Sequence, residues 1–281
     1  MKLLRYGPAG REKPGLLDDA GKIRDLSGVI DDITPDVLSP KSLARLARLK
    51  SDKLPLVKGK KRLGVPVTGS QKFVAIGLNY SDHAKETKLK EPDEPIVFTK
   101  HLSCLNGPND DVTLPKGARK GDWEVELGIV IGSRAKNIAK KDALSHIAGY
   151  CIVNDVSERH FQAERSGQWV KGKSYDTFGP VGPWLVTADE VGSTSRLNLW
   201  TEVNGKRMQD GNTRNMIFSV AHIVWYVSKF FTLEPGDLIC TGTPHGVGMG
   251  MKPPVFLKPG DVMHLGIDGL GTQTQKVVRD K

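Results

Sequence analysis

Glu124, Glu126 and Asp155 are the residues of this chain whose types and spacing point most directly to chemistry. The first two fall in Asp122-Trp123-Glu124-Val125-Glu126-Leu127, where acids alternate with apolar residues and lead into Gly128-Ile129-Val130-Ile131. Such alternation reads as a β-strand and puts Glu124 and Glu126 on one face, roughly 7 Å apart. Asp155, 29 residues after Glu126, ends a second apolar stretch that runs from Ile147 to Val153. Three carboxylates gathered beside an apolar interior repel one another and are costly to ionise. A hard divalent cation removes that cost. With oxygen donors and no neighbouring Cys or His pairs, Mg²⁺ is expected, with Mn²⁺ or Ca²⁺ as substitutes, in preference to Zn²⁺. Taken alone, E-x-E equally suits the wet face of an amphipathic strand.

Other segments carry compatible chemistry. His83 and Glu86 are three apart in Asn79-Tyr80-Ser81-Asp82-His83-Ala84-Lys85-Glu86, and share a face if Ser81 caps a short helix. A carboxylate beside an imidazole orients it and stabilises its protonated form, as a general base requires, although an isolated H-x-x-E also fits an ordinary surface helix. Gln162 offers two N–H donors, and Arg159, four residues after Asp155, can pair with a substrate carboxylate. Thr241-Gly242-Thr243-Pro244-His245-Gly246-Val247-Gly248 is glycine-rich but lacks the spacing of a P-loop or a dinucleotide fingerprint. The Gly242 backbone and the Thr243 hydroxyl are instead candidates to hold a carboxylate. Lys173 lies in Lys171-Gly172-Lys173-Ser174-Tyr175-Asp176-Thr177-Phe178-Gly179-Pro180 with no acid immediately before it, a pattern that usually means a surface lysine. His245 takes no role from its sequence context, and the remaining histidines have no spacing that gathers ligands.

In this order, the segments Gly77–Glu86, Glu124-x-Glu126, Asp155 with Gln162, Lys171–Pro180 and Pro235–Gly248 resemble the fumarylacetoacetate hydrolase family over about residues 70 to 270. The resemblance implies an α+β fold, a strand-rich mixed β-roll with a small N-terminal α/β domain beside it, and a homodimer. It implies that Glu124, Glu126 and Asp155 hold Mg²⁺ and that His83 and Glu86 sit on a mobile lid and activate water. It further implies that Gln162 serves an oxyanion and that Lys173 stabilises a developing enolate. The reaction implied is metal-dependent hydrolysis of a carbon–carbon bond in a 2,4-diketo acid, either an acylpyruvate or a 2,4-diketo-3-deoxy sugar acid. The opening Met1–Gly7, Lys13–Asp18 and Arg24–Ser27 look most like the sugar-acid branch, whose members are also labelled ureidoglycolate lyases. The same metal and enolate logic serves isomerases and decarboxylases of 2-hydroxy-diene dioates. A catalytically silent sugar-acid binder is the remaining alternative, disfavoured by the intact His–Glu pair.

The elements that must position these residues are mostly strands. Residues 1–65 read as a small domain with two short strands, a turn at Asp19–Gly21, and a helix over 41–50 opened by Ser39-Pro40. Residues 66–281 read as the catalytic domain, with strand-like runs at 72–77, 95–99, 122–131, 148–154, 184–187, 197–203, 237–240 and 261–267. Helices are expected at 81–88 and 217–231, with a turn at 141–146. Many strands with few interleaved helices argue against a doubly wound parallel sheet. The formal net charge of +9 comes without a nucleic-acid-binding module, so no nucleic-acid partner is expected and the field favours small anionic keto acids. No apolar run is long enough to span a membrane. Cys104, Cys151 and Cys240 are odd in number and far apart, and with no signal-peptide pattern they read as buried thiols of a cytoplasmic protein.

Overall fold

A computed structural model describes residues 1–280. A large sheet runs in the order Ile23–Asp25, Lys13–Leu17, Lys2–Tyr6, Gly179–Thr187, Ile147–Asn154, Val125–Ile131, Leu238–Cys240, Phe73–Gly77 and Ile96–Lys100. A five-stranded sheet, Lys206–Asn212, Asn198–Val203, Val262–Ile267, Gly271–Arg279 and Val112–Leu114, packs against it. Every residue of Val125–Ile131 and Ile147–Asn154 is buried, which explains the apolar runs Leu127–Ile131 and Ile147–Val153. This strand-rich α+β architecture is the one expected. The short strands of residues 1–65 extend the large sheet, because Lys2–Tyr6 is hydrogen-bonded to Gly179–Thr187.

The seam between the sheets is polar. Gln273 donates to the carbonyls of Ile152 (2.9 Å) and Gly182 (3.0 Å), and Asn154 donates to Gln275 (3.0 Å). Gln209 accepts from the Val125 N–H at 3.0 Å. All three glutamines are fully buried and paired, so they fix register with their own amides satisfied. Those glutamines also hid two strands. In Gly271–Arg279 the inward positions include Gln273 and Gln275, so the hydrophobic alternation that announces a strand is missing.

Several boundaries differ from expectation. The strand forecast from residue 122 begins at Val125, because Asp122 turns its carboxylate onto the N–H groups of Trp123, Gly248 and Met249. The helix forecast over 217–231 is Val220–Val227, with Ser219 as its cap. In the helix Ser81–Thr87 the cap position belongs to Tyr80, which makes no side-chain bond, and Ser81 is the first helical residue. Ser39 does cap Pro40–Ala47, accepting from the Ser42 N–H.

Candidate active site

Three strand ends converge on one cavity of about 190 Å³. Val125 pairs with Asn154, so Asp155 falls opposite Glu124 and its N–H donates to the Glu124 carbonyl at 2.9 Å. Glu126 faces the same cavity one pleat further on. The neighbouring strand Leu238–Cys240 then delivers the Gly242 N–H to Glu126 Oε2 at 2.6 Å. The three expected carboxylates are together and no more than 5 % exposed.

Two short helices supply the cations and the amide. Arg159–Ala163 carries Arg159 and Gln162, while Val170–Lys173 carries Lys173. Gly172 lets them touch: a Cβ there would lie 2.4 Å from the Glu158 carbonyl oxygen and 2.5 Å from the Gln162 nitrogen. Lys173 Nζ bridges Glu124 Oε2 (2.5 Å) and Asp155 Oδ2 (2.7 Å), so this lysine is buried at the site rather than on the surface. Arg159 donates to Asp122 (2.8 Å), to Glu124 Oε1 (2.6 Å) and to Gln162 Oε1 (3.1 Å). With its carbonyl end so held, Gln162 keeps its amide nitrogen for a ligand.

The electrostatics separate the carboxylates. Burial alone would push Glu124 up, but Arg159 and Lys173 outweigh it and hold the carboxyl well below the usual range. Glu126 goes the other way: burial, then Asp155 and Glu124, push it well above the usual range, and Lys173 offsets this only in part. Lys173 is itself raised, because Asp155 and Glu124 more than cancel its burial. Glu126 is therefore the carboxylate whose charge the chain's own cations leave uncompensated. That imbalance, with an all-oxygen donor set, fits a hard divalent cation held by Glu124, Glu126 and Asp155. The Cys240 thiol also lies within 4.8 Å of Glu126 and Asp155 ligand atoms. Burial and then Glu126 push that thiol well above its ordinary value, so it stays protonated and is a poor donor to such an ion.

Across the cavity, His83 Nδ1 lies 3.1 Å from Glu86 Oε2, the i, i+3 contact expected. The helix is clasped by the glycine-rich loop. Gly246 N–H donates to Glu86 Oε1 at 2.9 Å, and His245 Nδ1 lies 3.3 Å from Asp82 Oδ2. His245 thus faces the helix Ser81–Thr87, and Asn215 donates to the same Asp82 oxygen at 2.8 Å.

The three residues expected to bind substrate, Arg159, Gly242 and Thr243, all line the cavity, and each also makes hydrogen bonds within the protein. The Arg159 fork is shared among Asp122, Glu124 and Gln162, and the Gly242 N–H is given to Glu126. Thr243 donates to the Val125 carbonyl and accepts from Gln209. These bonds set the site's geometry, and Arg159 makes its own with three of its five N–H donors. Sequence reasoning also missed Lys100, which is buried and donates to Asp155 Oδ1 at 2.6 Å and to the Lys173 carbonyl. Its one signal was a lysine closing the strand Ile96–Lys100, which is unspecific.

Comparison with known proteins agrees with this geometry. The family described as fumarylacetoacetate (FAA) hydrolase C-terminal matches residues 72–278. A Burkholderia orbicola protein named only as a hydrolase is 58% identical over 277 residues, 98% of each chain. The solved fumarylacetoacetate hydrolase of Exiguobacterium antarcticum superposes with a TM-score of 0.89 at 35% identity, covering all of both chains. Maleylpyruvate hydrolase of Sphingobium sp. SYK-6, solved with manganese(II) and pyruvate, gives 0.83 at 29% identity, also over all of both chains. With the profile spanning most of its length and these relatives covering it end to end, the chain belongs to the fumarylacetoacetate hydrolase family.

Proposed function

We propose that this chain is a divalent-cation-dependent hydrolase that breaks the C3–C4 bond of a 2,4-diketo acid and releases a pyruvate-type 2-keto acid. The observation that carries the reading is the His83–Glu86 pair facing, across one cavity, the cluster Glu124, Glu126 and Asp155. Glu124, Glu126 and Asp155 would hold Mg²⁺ or Mn²⁺; the Sphingobium neighbour, described with manganese and pyruvate, supports that choice. Such an ion supplies Lewis-acid polarisation of the keto and carboxylate oxygens. Glu86 accepts the Nδ1–H of His83, which leaves Nε2 to take a proton from the water that attacks C4. Gln162 presents its amide N–H to the oxyanion formed at C4. When the C3–C4 bond breaks, its electron pair passes to C3 and the C2 oxygen, where the Lys173 ammonium faces the new charge. Protonation at C3 completes the keto acid. The reading includes a homodimer of twice the 30.7 kDa chain, to be checked by light scattering. It also includes a cytoplasmic location; no helix of the described residues is long and apolar enough to cross a membrane.

His83→Ala should lose hydrolysis of a 2,4-diketo acid by roughly 10²-fold or more. The variant should still bind oxalate in the presence of Mg²⁺ with near-parent affinity. EDTA should abolish the parent's turnover, and Mg²⁺ or Mn²⁺ should restore it. Parent-level turnover by His83→Ala would favour the isomerase or lyase reading, and full activity in EDTA would remove the metal role.

A further inference from the structure

The cavity is chemically two-ended. At its buried inner end lie the carboxylates, Lys173, Arg159, Gln162 and His83; Phe98, whose ring centroid is 5.4 Å from Lys173 Nζ, leads to an outer wall and rim of half-buried Leu78 and Trp169 and exposed Leu89 and Met249. Among the described residues, Lys173 and Arg159 are the only lysine or arginine lining it, and both are committed at the inner end. A second carboxylate placed against Leu78, Leu89, Trp169 and Met249 would find no lysine or arginine in the lining other than these two, which already face the inner carboxylates.

The outer wall is held deliberately. Trp169 meets Phe98 edge-to-face, ring centroids 5.2 Å apart at 69°. The Trp169 ring also lies directly on the Gly77 backbone, where a Cβ would stand 2.7 Å from its Cζ3. Leu78 next to it has φ +50°, a left-handed conformation that a leucine adopts only when its surroundings force it. The force comes from Asn79, whose side chain is tied to Phe218 N and O and to the Thr241 carbonyl at 2.8–3.0 Å. Leu89, just past the helix Ser81–Thr87, and Met249, just past the glycine-rich loop, line the cavity and are 52% and 38% exposed. Large apolar side chains left in water at a cavity mouth mark a place where an apolar group docks.

Resting on the reading that the diketo-acid head lies at the inner end, we propose that this outer wall is the acyl-tail subsite. It selects substrates whose C4 substituent is aromatic or alkyl over those ending in a second carboxylate or a polyol. Trp169, Leu78, Leu89 and Met249 determine this specificity.

The test is calorimetric titration of the Mn²⁺-loaded full chain with 2-oxo-4-phenylbutanoate, 2-oxoadipate and a 2-keto-3-deoxy sugar acid. The phenyl compound should bind roughly tenfold tighter than either of the others. Trp169→Ala should erase that preference and Trp169→Phe should keep most of it. Leu89→Ser, at an exposed position, tests the same preference if Trp169→Ala folds poorly, and should reduce it. Leu89→Arg should tighten 2-oxoadipate by up to roughly fivefold. Equal or tighter binding of 2-oxoadipate or the sugar acid by the parent overturns the proposal. So does a preference unmoved in both Trp169→Ala and Leu89→Ser, or the failure of every 2-keto acid to bind. Should the order hold while no 2,4-diketo acid is cleaved, the hydrolase reading fails and the subsite stands.

Discussion

Four buried acids, Asp122, Glu124, Glu126 and Asp155, share the site with three buried cations, Lys100, Arg159 and Lys173. The hydrogen bonds decide which acid is left over. Asp122 and Glu124 take Arg159, Glu124 and Asp155 take Lys173, and Asp155 also takes Lys100. Among the described residues, Glu126 receives one backbone N–H and no hydrogen bond from a cation. A neutral amide there removes an uncompensated buried charge, so Glu126→Gln should leave the metal-free protein as stable as the parent or more so. The rise in melting temperature that Mg²⁺ or Mn²⁺ gives the parent should vanish in the variant, since that rise reports cation bound only by the folded state. Differential scanning calorimetry with and without the ion checks both halves. A variant with parent-like metal response would take Glu126 out of the cation's cage. Lys100 is the opposite case. Lys100→Met strips Asp155 Oδ1 and the Lys173 carbonyl of a donor, and breaking a buried pair from one side costs about 3 kcal/mol. Urea denaturation should show that loss in the midpoint with the slope unchanged.

At the scale of elements, the site depends on how closely two short helices approach. Gly172→Ala would drive a methyl into the Glu158 carbonyl and the Gln162 N–H, both backbone atoms that cannot swing aside. The expected cost is about 2 kcal/mol, as for other overpacked contacts. Because Gln162 and Lys173 ride on those helices, kcat should fall more than KM rises. A Gly172→Ala protein with parent stability and kinetics would show that the helices have room to part. The strands that carry the carboxylates were legible from the acid–apolar alternation over 122–127 and the apolar run Ile147–Val153; the helices were not. Arg159–Ala163 and Val170–Lys173 are five and four residues long, too short for a helical period to register, and are held by tertiary contact. Local spacing paired Glu124 with Glu126 and His83 with Glu86; that Asp155 joins them in one site came from the family resemblance. The engagement of Arg159, Gly242 and Thr243 depends on partners up to 118 residues away, which no local pattern encodes.

At the scale of the whole molecule, the question is what fixes residues 1–65 against the body that carries the site. One part of the answer is the pairing of Lys2–Tyr6 with Gly179–Thr187. The other is an ionic clasp centred on Arg62, which donates to Asp110 Oδ1 (2.8 Å) and Oδ2 (2.5 Å) and to Glu12 Oε1 (2.7 Å). Arg5 approaches the other Glu12 oxygen at 3.6 Å. Burial would raise the Glu12 carboxyl, but the bond from Arg62 and the charges of Arg5 and Arg62 outweigh it and hold it below its ordinary 4.5. A carboxyl lowered in the folded state contributes stability above its unfolded value and loses it as the pH falls through the folded one. Glu12→Gln should therefore cost about 1 kcal/mol near neutral pH, a modest figure because Arg62 is partly exposed to solvent. The gap between parent and variant should then shrink steadily as the pH is lowered beneath 4.5, where the parent's carboxylate takes up its proton. Urea midpoints measured at neutral pH and at steps below 4.5 would show this convergence. A gap that stayed constant across that range would mean that Glu12 acts through packing alone and that its pairing with Arg62 carries no net charge energy.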